Sequence, residues 1–281
     1  MYISIDVGGT NMRVALMDLD GGERIVKLES HPVPQDYEVG IQEMINVISD
    51  VAAGQEIQGI GACFPGIIDE NDMVTTANNL PQWSQKPIKQ TLQDRFNVPV
   101  KLVHDVQGAA IGEALYGAAR GHDRFVYFIW GTGVGGGDIK RIDSQRYFMF
   151  SFENGHHIME WGGKLCSCGQ RGCPEAYLGG ANLQAYFGRD MRDVSDDDPG
   201  WDLVVEKAAQ TILNTLIFHP VNLFVFSGGV ITKRPFLLER VKPIMRERLQ
   251  LFPLPEMVLA EKGEQSPLYG CAGLFTIDLI G

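Results

Sequence analysis

The 281 residues carry 24 Lys and Arg against 35 Asp and Glu, a formal charge of −11, with 44% hydrophobic and 21% charged residues. These proportions describe a folded globular chain, large enough for two domains, and exclude disordered, collagenous and coiled-coil classes. The acidic balance argues against nucleic acid and anionic membrane surfaces, which call for clustered Lys and Arg.

No apolar run reaches the ~18 residues of a membrane span. "MYISIDVGGT" also lacks the basic start and apolar centre of a secretion signal, so a cytoplasmic protein is expected. Five cysteines in such a chain point to reduced thiols and not to a disulfide framework.

In chain order, "YISIDV" reads as a strand, "GGTN" as a turn and "MRVALMDLD" as a returning strand. A Gly21-Gly22 turn and a third strand, "ERIVKLES", follow. Ile41, Met44, Ile45, Ile48 and Ala52 recur at helical spacing, and "IQGIGACF" is a short apolar strand ended by Pro65-Gly66. Ile88, Leu92 and Phe96 predict a second helix, "VPVKLVHD" a strand and "VQGAAIGEALYG" a helix of small residues. After Gly121 the opening pattern returns, with "RFVYFIW" as a strand, "GTGVGGG" as a glycine turn and "DIKRI" extended. A helix over Trp201–Phe218, the strand "NLFVFSGGV", a helix around Phe236–Leu249, the strand "EMVLA" and a final helix from about Pro267 complete the chain. This predicts two related α/β domains, 1–118 and 119–281, with a cleft between them and the final helix a candidate for packing back on the first. "SDDDPG" reads as a solvated acidic loop.

Both "DVGGT" and "GTGVGG" put glycines where a strand turns back, which lets backbone N–H groups converge on an anion. Either alone could be only a tight hairpin. Two in matching positions favour phosphate, held by Gly8, Gly9 and Thr10 in one half and by Gly131, Thr132 and Gly133 in the other. Asp6 and Thr10 would place a carboxylate and a hydroxyl where Mg²⁺ or its waters need oxygen, so a nucleotide with magnesium is expected. Gly228 and Gly229 in "FSGGV" either admit a flat base or ribose or simply allow close packing. Gly131, Gly133 and Gly136 also fit G-x-G-x-x-G, but no apolar helical stripe follows, as a dinucleotide fold requires. No G-x-x-x-x-G-K-[ST] occurs, which excludes a P-loop.

His156, Cys166, Cys168 and Cys173 form H-x9-C-x-C-x4-C, one imidazole and three thiolates suited to tetrahedral Zn²⁺. Reduced thiols or a redox pair are the alternative, and His157 is an alternative ligand. Four protein ligands would close the coordination sphere and make the metal structural, bracing a loop that carries Glu153 and Glu175. A histidine bound through one nitrogen keeps an N–H on the other, able to hold a substrate hydroxyl. Asp105 follows "VKLVH" and precedes a helix, so it is either an N-cap carboxylate or a general base for phosphoryl transfer.

Together these motifs resemble the ROK family of bacterial sugar kinases, N-acetylmannosamine kinases and related repressors, over nearly the whole chain. "DVGGT" resembles the first phosphate loop, "GTGVGGG" the second, "VHDVQGAA" the catalytic segment, and "ENGH" with "CSCGQRGCPEAY" the zinc and sugar signature. The resemblance implies a two-domain actin-like (ribonuclease-H-like) ATPase fold, with ATP and sugar meeting in the interdomain cleft, Mg²⁺ and a structural Zn²⁺. By the same resemblance Asp105 matches the catalytic base that deprotonates the sugar hydroxyl, and Asp6 matches a residue near Mg²⁺. Glu153, His156 and Glu175 match sugar-hydroxyl ligands. Asn79 in "NNLPQW" and Gly66 match further contacts beside the sugar. Two departures stand out: His104 occupies a position where the family usually has Asn, and "RYFMFSFENGH" replaces a glycine-rich lead-in.

The implied activity is that of a glucokinase-like, ATP-dependent hexose kinase acting on a primary hydroxyl, the 6-OH of glucose or a related hexose or N-acetylhexosamine. A catalytically silent sugar-binding protein is the alternative. A sugar-sensing repressor fits less well, because Met1 is followed at once by a strand where ROK repressors carry a helix-turn-helix. Self-association is common in the family, so a homodimer is among the implied partners, although nothing in the sequence marks its interface.

Overall fold

The computed structural model describes residues 1–20, 23–69, 73–77 and 80–280. The elements in chain order begin with β1 (Tyr2–Val7), β2 (Asn11–Asp18), β3 (Arg24–Pro32), α1 (Tyr37–Ala52), β4 (Ile60–Phe64), β5 (Ile67–Ile68) and β6 (Val74–Thr76). There follow α2 (Ile88–Phe96), β7 (Val100–His104), α3 (Asp105–Tyr116), β8 (Arg124–Trp130), β9 (Val134–Arg141) and β10 (Arg146–Phe152). The remainder is α4 (Glu175–Leu178), α5 (Gly180–Phe187), α6 (Trp201–Phe218), β11 (Leu223–Ser227), α7 (Gly229–Lys233), α8 (Phe236–Arg248), β12 (Glu256–Leu259), α9 (Ser266–Gly273) and β13 (Asp278–Ile280).

The chain divides into two compact units. The first holds Met1–Gly121, Ile142–Phe148 and the residues from Gln265 onward; the second holds His122–Arg141 and Met149–Glu264. In the first, the strand order is β3-β2-β1-β4-β7, with β1 antiparallel to β2 and parallel to β4, and β4 parallel to β7. In the second, the order is β12-β11-β8-β9-β10, with β8 antiparallel to β9 and parallel to β11, and β11 parallel to β12. Each unit thus opens on a hairpin and adds parallel strands beside its first strand, as the repeated sequence pattern predicts.

Local chemistry explains the elements of the first unit. Ile3, Ile5 and Val7 alternate on β1 and are buried, while α1 sets Ile41, Met44, Ile48 and Val51 into the same core. Each such side chain contributes about 1.5–3 kcal/mol of transfer free energy. The Asp36 carboxylate caps α1 by accepting the Val39 N–H at 3.0 Å, and Ala53 ends it in a left-handed conformation. The small residues of α3 admit α9 at close range: a Cβ on Gly112 would lie 2.0 Å from Ser266 O. The buried Glu113 carboxylate joins the pair, accepting the Ser266 hydroxyl at 2.6 Å and the Ala118 N–H at 2.8 Å.

Three sequence expectations need revision. The turn in "GTGVGGG" is Gly131–Gly133 only. Gly135, Gly136 and Gly137 are strand residues of β9, where the bare Gly136 leaves room for the Phe152 ring. Gly228 and Gly229 do not extend β11 but form its turn into α7. Residues 142–148 belong with the first unit, where Arg146–Phe148 pairs parallel with β13, a strand that follows the final helix.

Candidate functional site

The first glycine turn is fixed from both sides. Gly8 N–H donates to Asn11 O at 2.8 Å, and Thr10 O accepts Val33 N–H at 2.8 Å, leaving the Thr10 side chain exposed. Asp6 and Arg13 are direct cross-strand partners in the β1–β2 ladder. Arg13 donates to Asp6 Oδ2 through Nε at 3.0 Å and through Nη2, while the Cys63 thiol donates to Oδ1 at 3.2 Å. Sequence reasoning missed Arg13. The hairpin held the signal, because a turn centred between Gly9 and Thr10 sets positions 6 and 13 opposite one another.

Asp105 is the first residue of α3, and His104 is the N-cap. The cap is reciprocal, with His104 N–H donating to Gln107 Oε1 at 3.2 Å. Asp105 is therefore not the N-cap. Its carboxylate stands in the first turn of a 12-residue helix, where the macrodipole favours negative charge, and its side chain is 44% exposed. His104 Nδ1 lies 3.1 Å from Asp105 Oδ1. Gly66 has φ of +113°, and a Cβ there would sit 1.8 Å from Thr76 O, so no other residue fits this bend. Asn79 lies outside the described residues.

The second unit brings the cysteine cluster together. One donor atom from each of His156, Cys166, Cys168 and Cys173 lies within 4.8 Å of all the others. Cys168 Sγ and Cys173 Sγ are 3.7 Å apart, and Cys166 Sγ is 3.5 Å from His156 Nδ1. A regular tetrahedron with Zn–S near 2.3 Å and Zn–N near 2.05 Å has edges of about 3.75 Å for S···S and about 3.55 Å for S···N. The donor set and its spacing therefore fit zinc, which His156 would hold through Nδ1. Burial, then the neighbouring Cys168 thiol, pushes the Cys173 thiol up to about 12, a cost that a bound cation would offset. His157 is not a ligand. Its Nδ1–H donates to Asn154 O at 2.9 Å, its Nε2 accepts from Asn214 Nδ2 at 3.1 Å, and burial holds the ring below the usual histidine range.

Glu175 ties this cluster to the second glycine turn. Its Oε2 accepts Val134 N–H at 3.0 Å, and its Oε1 accepts the Ser167 hydroxyl at 3.1 Å and lies 3.9 Å from His156 Nε2, the imidazole nitrogen turned away from the cysteines. A Cβ on Gly133 would collide with this carboxylate at 2.5 Å. Asn182 at the start of α5 donates to Glu175 O at 2.9 Å, and Gly180 N–H donates to Gly131 O at 2.9 Å. The "SGG" turn packs on the same loop: a Cβ on Gly228 would meet Trp130 O at 2.5 Å. Gly131–Gly133, Gly228, Glu175 and the His/Cys cluster thus form one contiguous block within the second unit. Glu153 is exposed, and its backbone carbonyl accepts His156 N–H at 3.0 Å. Ser167 and Asn182 were not foreseen, since a lone hydroxyl and a lone amide carry no motif.

Comparison with known proteins places this arrangement. The chain is 33% identical over 193 residues to the glucokinase of Thermotoga maritima, an alignment covering 66% of this chain and 59% of that enzyme's length. It is 27% identical over 297 residues to the xylose repressor of Bacillus subtilis, covering 97% of this chain and 76% of the repressor. Its fold superimposes with a TM-score of 0.79 on a ROK family glucokinase from Streptomyces griseus solved in complex with glucose and AMPPNP, at 24% identity over 97% of this chain and 98% of that one. The paired α/β units are therefore the actin-like architecture of these kinases. A sequence profile described as the ROK family matches residues 2–277, and on that span this chain belongs to the ROK family.

Proposed function

We propose that this protein is an ATP-dependent sugar kinase that transfers the γ-phosphate of Mg-ATP to a hydroxyl of a hexose or N-acetylhexosamine, the 6-OH of glucose being the leading candidate. The observation that carries the proposal is the block in which one tetrahedral donor set fixes His156, and His156 and Glu175 adjoin a glycine turn of phosphate-binding type. The glucokinase name of the T. maritima relative and the glucose and AMPPNP in the S. griseus complex support the same reading.

In this reading zinc, when bound, supplies only a fixed geometry, because four protein donors leave no open position. His156 Nε2–H and the Glu175 and Glu153 carboxylates orient sugar hydroxyls, with Gly66, Asn79 and His104 completing the sugar contacts. Gly8, Gly9, Thr10, Gly131, Thr132, Gly133, Gly228 and Gly229 receive the nucleotide. Asp105 takes the proton of the attacking hydroxyl as its oxygen bonds to the γ-phosphorus and the bond from that phosphorus to the β–γ bridging oxygen breaks, releasing ADP.

A coupled assay across hexoses and N-acetylhexosamines should find turnover with at least one. Asp105→Asn should lower kcat by about 10²–10⁴-fold with sugar affinity retained. Similarity to xylose repressors over 97% of the chain favours a second reading, sugar sensing without transfer. Sugar binding by calorimetry together with no transfer to any sugar would establish that reading and overturn the kinase.

A further inference from the structure

The magnesium role implied for Asp6 conflicts with its surroundings. Mg²⁺ demands near-ideal octahedral oxygen at about 2.0–2.1 Å. Asp6 Oδ2 already accepts two N–H groups from Arg13, and Oδ1 accepts the Cys63 thiol. A divalent cation bonded to this carboxylate would sit against a guanidinium held on the same oxygen, and like charges at that range repel. Arg13 itself is the only Lys or Arg among residues 1–23 of a chain whose formal charge is −11. It stands on the strand leaving the glycine turn, and its side chain is 26% exposed. A guanidinium has five N–H donors. Asp6 takes Nε and Nη2, and Nη1 has no protein partner among the described residues.

We propose that Asp6 is the anchor of Arg13 and not a magnesium ligand, and that the Arg13 guanidinium supplies the cationic contact to a nucleotide's phosphate chain at the first glycine turn. The inference rests on the kinase reading for its ligand, a nucleoside triphosphate. A planar fork braced by one carboxylate is pre-organised to give its remaining donors to phosphate oxygens, and the backbone N–H groups of the turn complete the cradle. Asp6 is then a positioning residue acting through Arg13. The metal is carried by the nucleotide's own phosphates and water.

Calorimetry of AMPPNP binding, with Mg²⁺ and with EDTA, tests this on the wild type, Arg13→Gln, Arg13→Lys, Asp6→Asn and Asp6→Ala, each checked for folding by thermal melting. Arg13→Gln should weaken binding about tenfold or more in both conditions, and Arg13→Lys should recover part of the loss. Asp6→Asn should weaken binding while leaving the ratio of affinities with and without Mg²⁺ within about threefold of wild type, because the carboxylate holds no metal. Should either variant at Asp6 fail to fold, the Arg13 pair still decides. Arg13→Gln binding AMPPNP like the wild type, or Asp6→Asn erasing the Mg²⁺-dependent gain, overturns the proposal. A wild type that binds no AMPPNP sinks the kinase reading as well, so the two failures are distinguishable.

Discussion

Gly228→Ala tests whether the second glycine turn is built on close backbone approach. Gly228 has φ of 104° and ψ of 151°, a region that residues with a Cβ essentially never occupy. The added methyl would also lie 2.5 Å from Trp130 C and O and 2.8 Å from Gly131 N, all backbone atoms that cannot swing aside. Backbone strain costs about 1–3 kcal/mol and overpacking a further ~1–3 kcal/mol. Part of that energy would be relieved by pushing Gly131–Gly133 away, so melting should fall by on the order of 10 °C and AMPPNP affinity should fall with it. Gly229→Ala is the internal control. A Cβ there meets nothing within 4 Å and starts helix α7, so its melting should match the wild type or rise slightly. Differential scanning calorimetry on the three proteins decides the matter. If Gly228→Ala melts within about 1 °C of wild type, or the two variants behave alike, steric approach at this turn is not what requires glycine.

Cys173→Ala removes one corner of the tetrahedron, so zinc measured by elemental analysis should drop from roughly one per chain to well below; an unchanged content would show that the cluster is not the metal site. Glu175→Gln keeps an oxygen for one of its two hydrogen bonds but loses the charge beside His156 Nε2, and sugar affinity should fall about tenfold; unaltered binding would remove it from the pocket. Burial raises the Asp138 carboxyl, but hydrogen bonds from Arg124 and His219 outweigh it and leave its pKa below the ordinary aspartate value. That depressed pKa contributes stability above the unfolded value near ~3.9, and the contribution is lost as pH falls through the folded one. Asp138→Asn should therefore melt lower at pH 7 and show a flatter decline below about pH 4, and superimposable acid limbs would refute the linkage. Glu113→Ala removes the hydrogen bonds its carboxylate accepts from the Ser266 hydroxyl and the Ala118 N–H and opens a cavity between α3 and α9, costing about 2–4 kcal/mol in urea unfolding; a loss under ~0.5 kcal/mol would contradict the packing described.

Periodicity made most of the architecture legible. Ile41, Met44, Ile45 and Ile48 marked α1, and the two hairpins with their glycine turns announced two related units because hydrophobic pattern and turn chemistry agreed. The failures fall where local pattern is silent. The three glycines from Gly135 to Gly137 look like loop, yet they are strand, because they pair with β8 and, at Gly136, leave the space that the Phe152 ring takes. Helix α4 has four residues, and β13 has three, too few for a period to show. At the site, His156 and the three cysteines were readable because metal chemistry dictates residue type and spacing together. Ser167 was not, since it meets the Glu175 carboxylate only in the folded loop, and Arg13 was legible only through the hairpin register that sets it opposite Asp6.

The surroundings of the His/Cys cluster are those a structural metal would serve. Between β10 and α4 the chain forms no helix or strand beyond the Leu165–Arg171 bridge, and apart from Met159, which packs on the core, its larger apolar residues are exposed, Trp161 at 89% and Leu165 at 62%. Burial of that kind cannot order some twenty residues against conformational entropy of about 1–2 kcal/mol each. Four donors gathered on one ion can, since structural zinc binding is worth on the order of 10 kcal/mol. The cluster sits beside the glycine turn that Glu175 joins. Cys173 lies two residues before Glu175, whose two oxygens meet Ser167 inside the loop and Val134 beyond the glycine turn. A hydrophobic plug could have packed the loop down, but it would not have left an imidazole nitrogen aimed at a carboxylate. An ion held by His156 and the three cysteines would do both, which would account for three of the five thiols lying within eight residues.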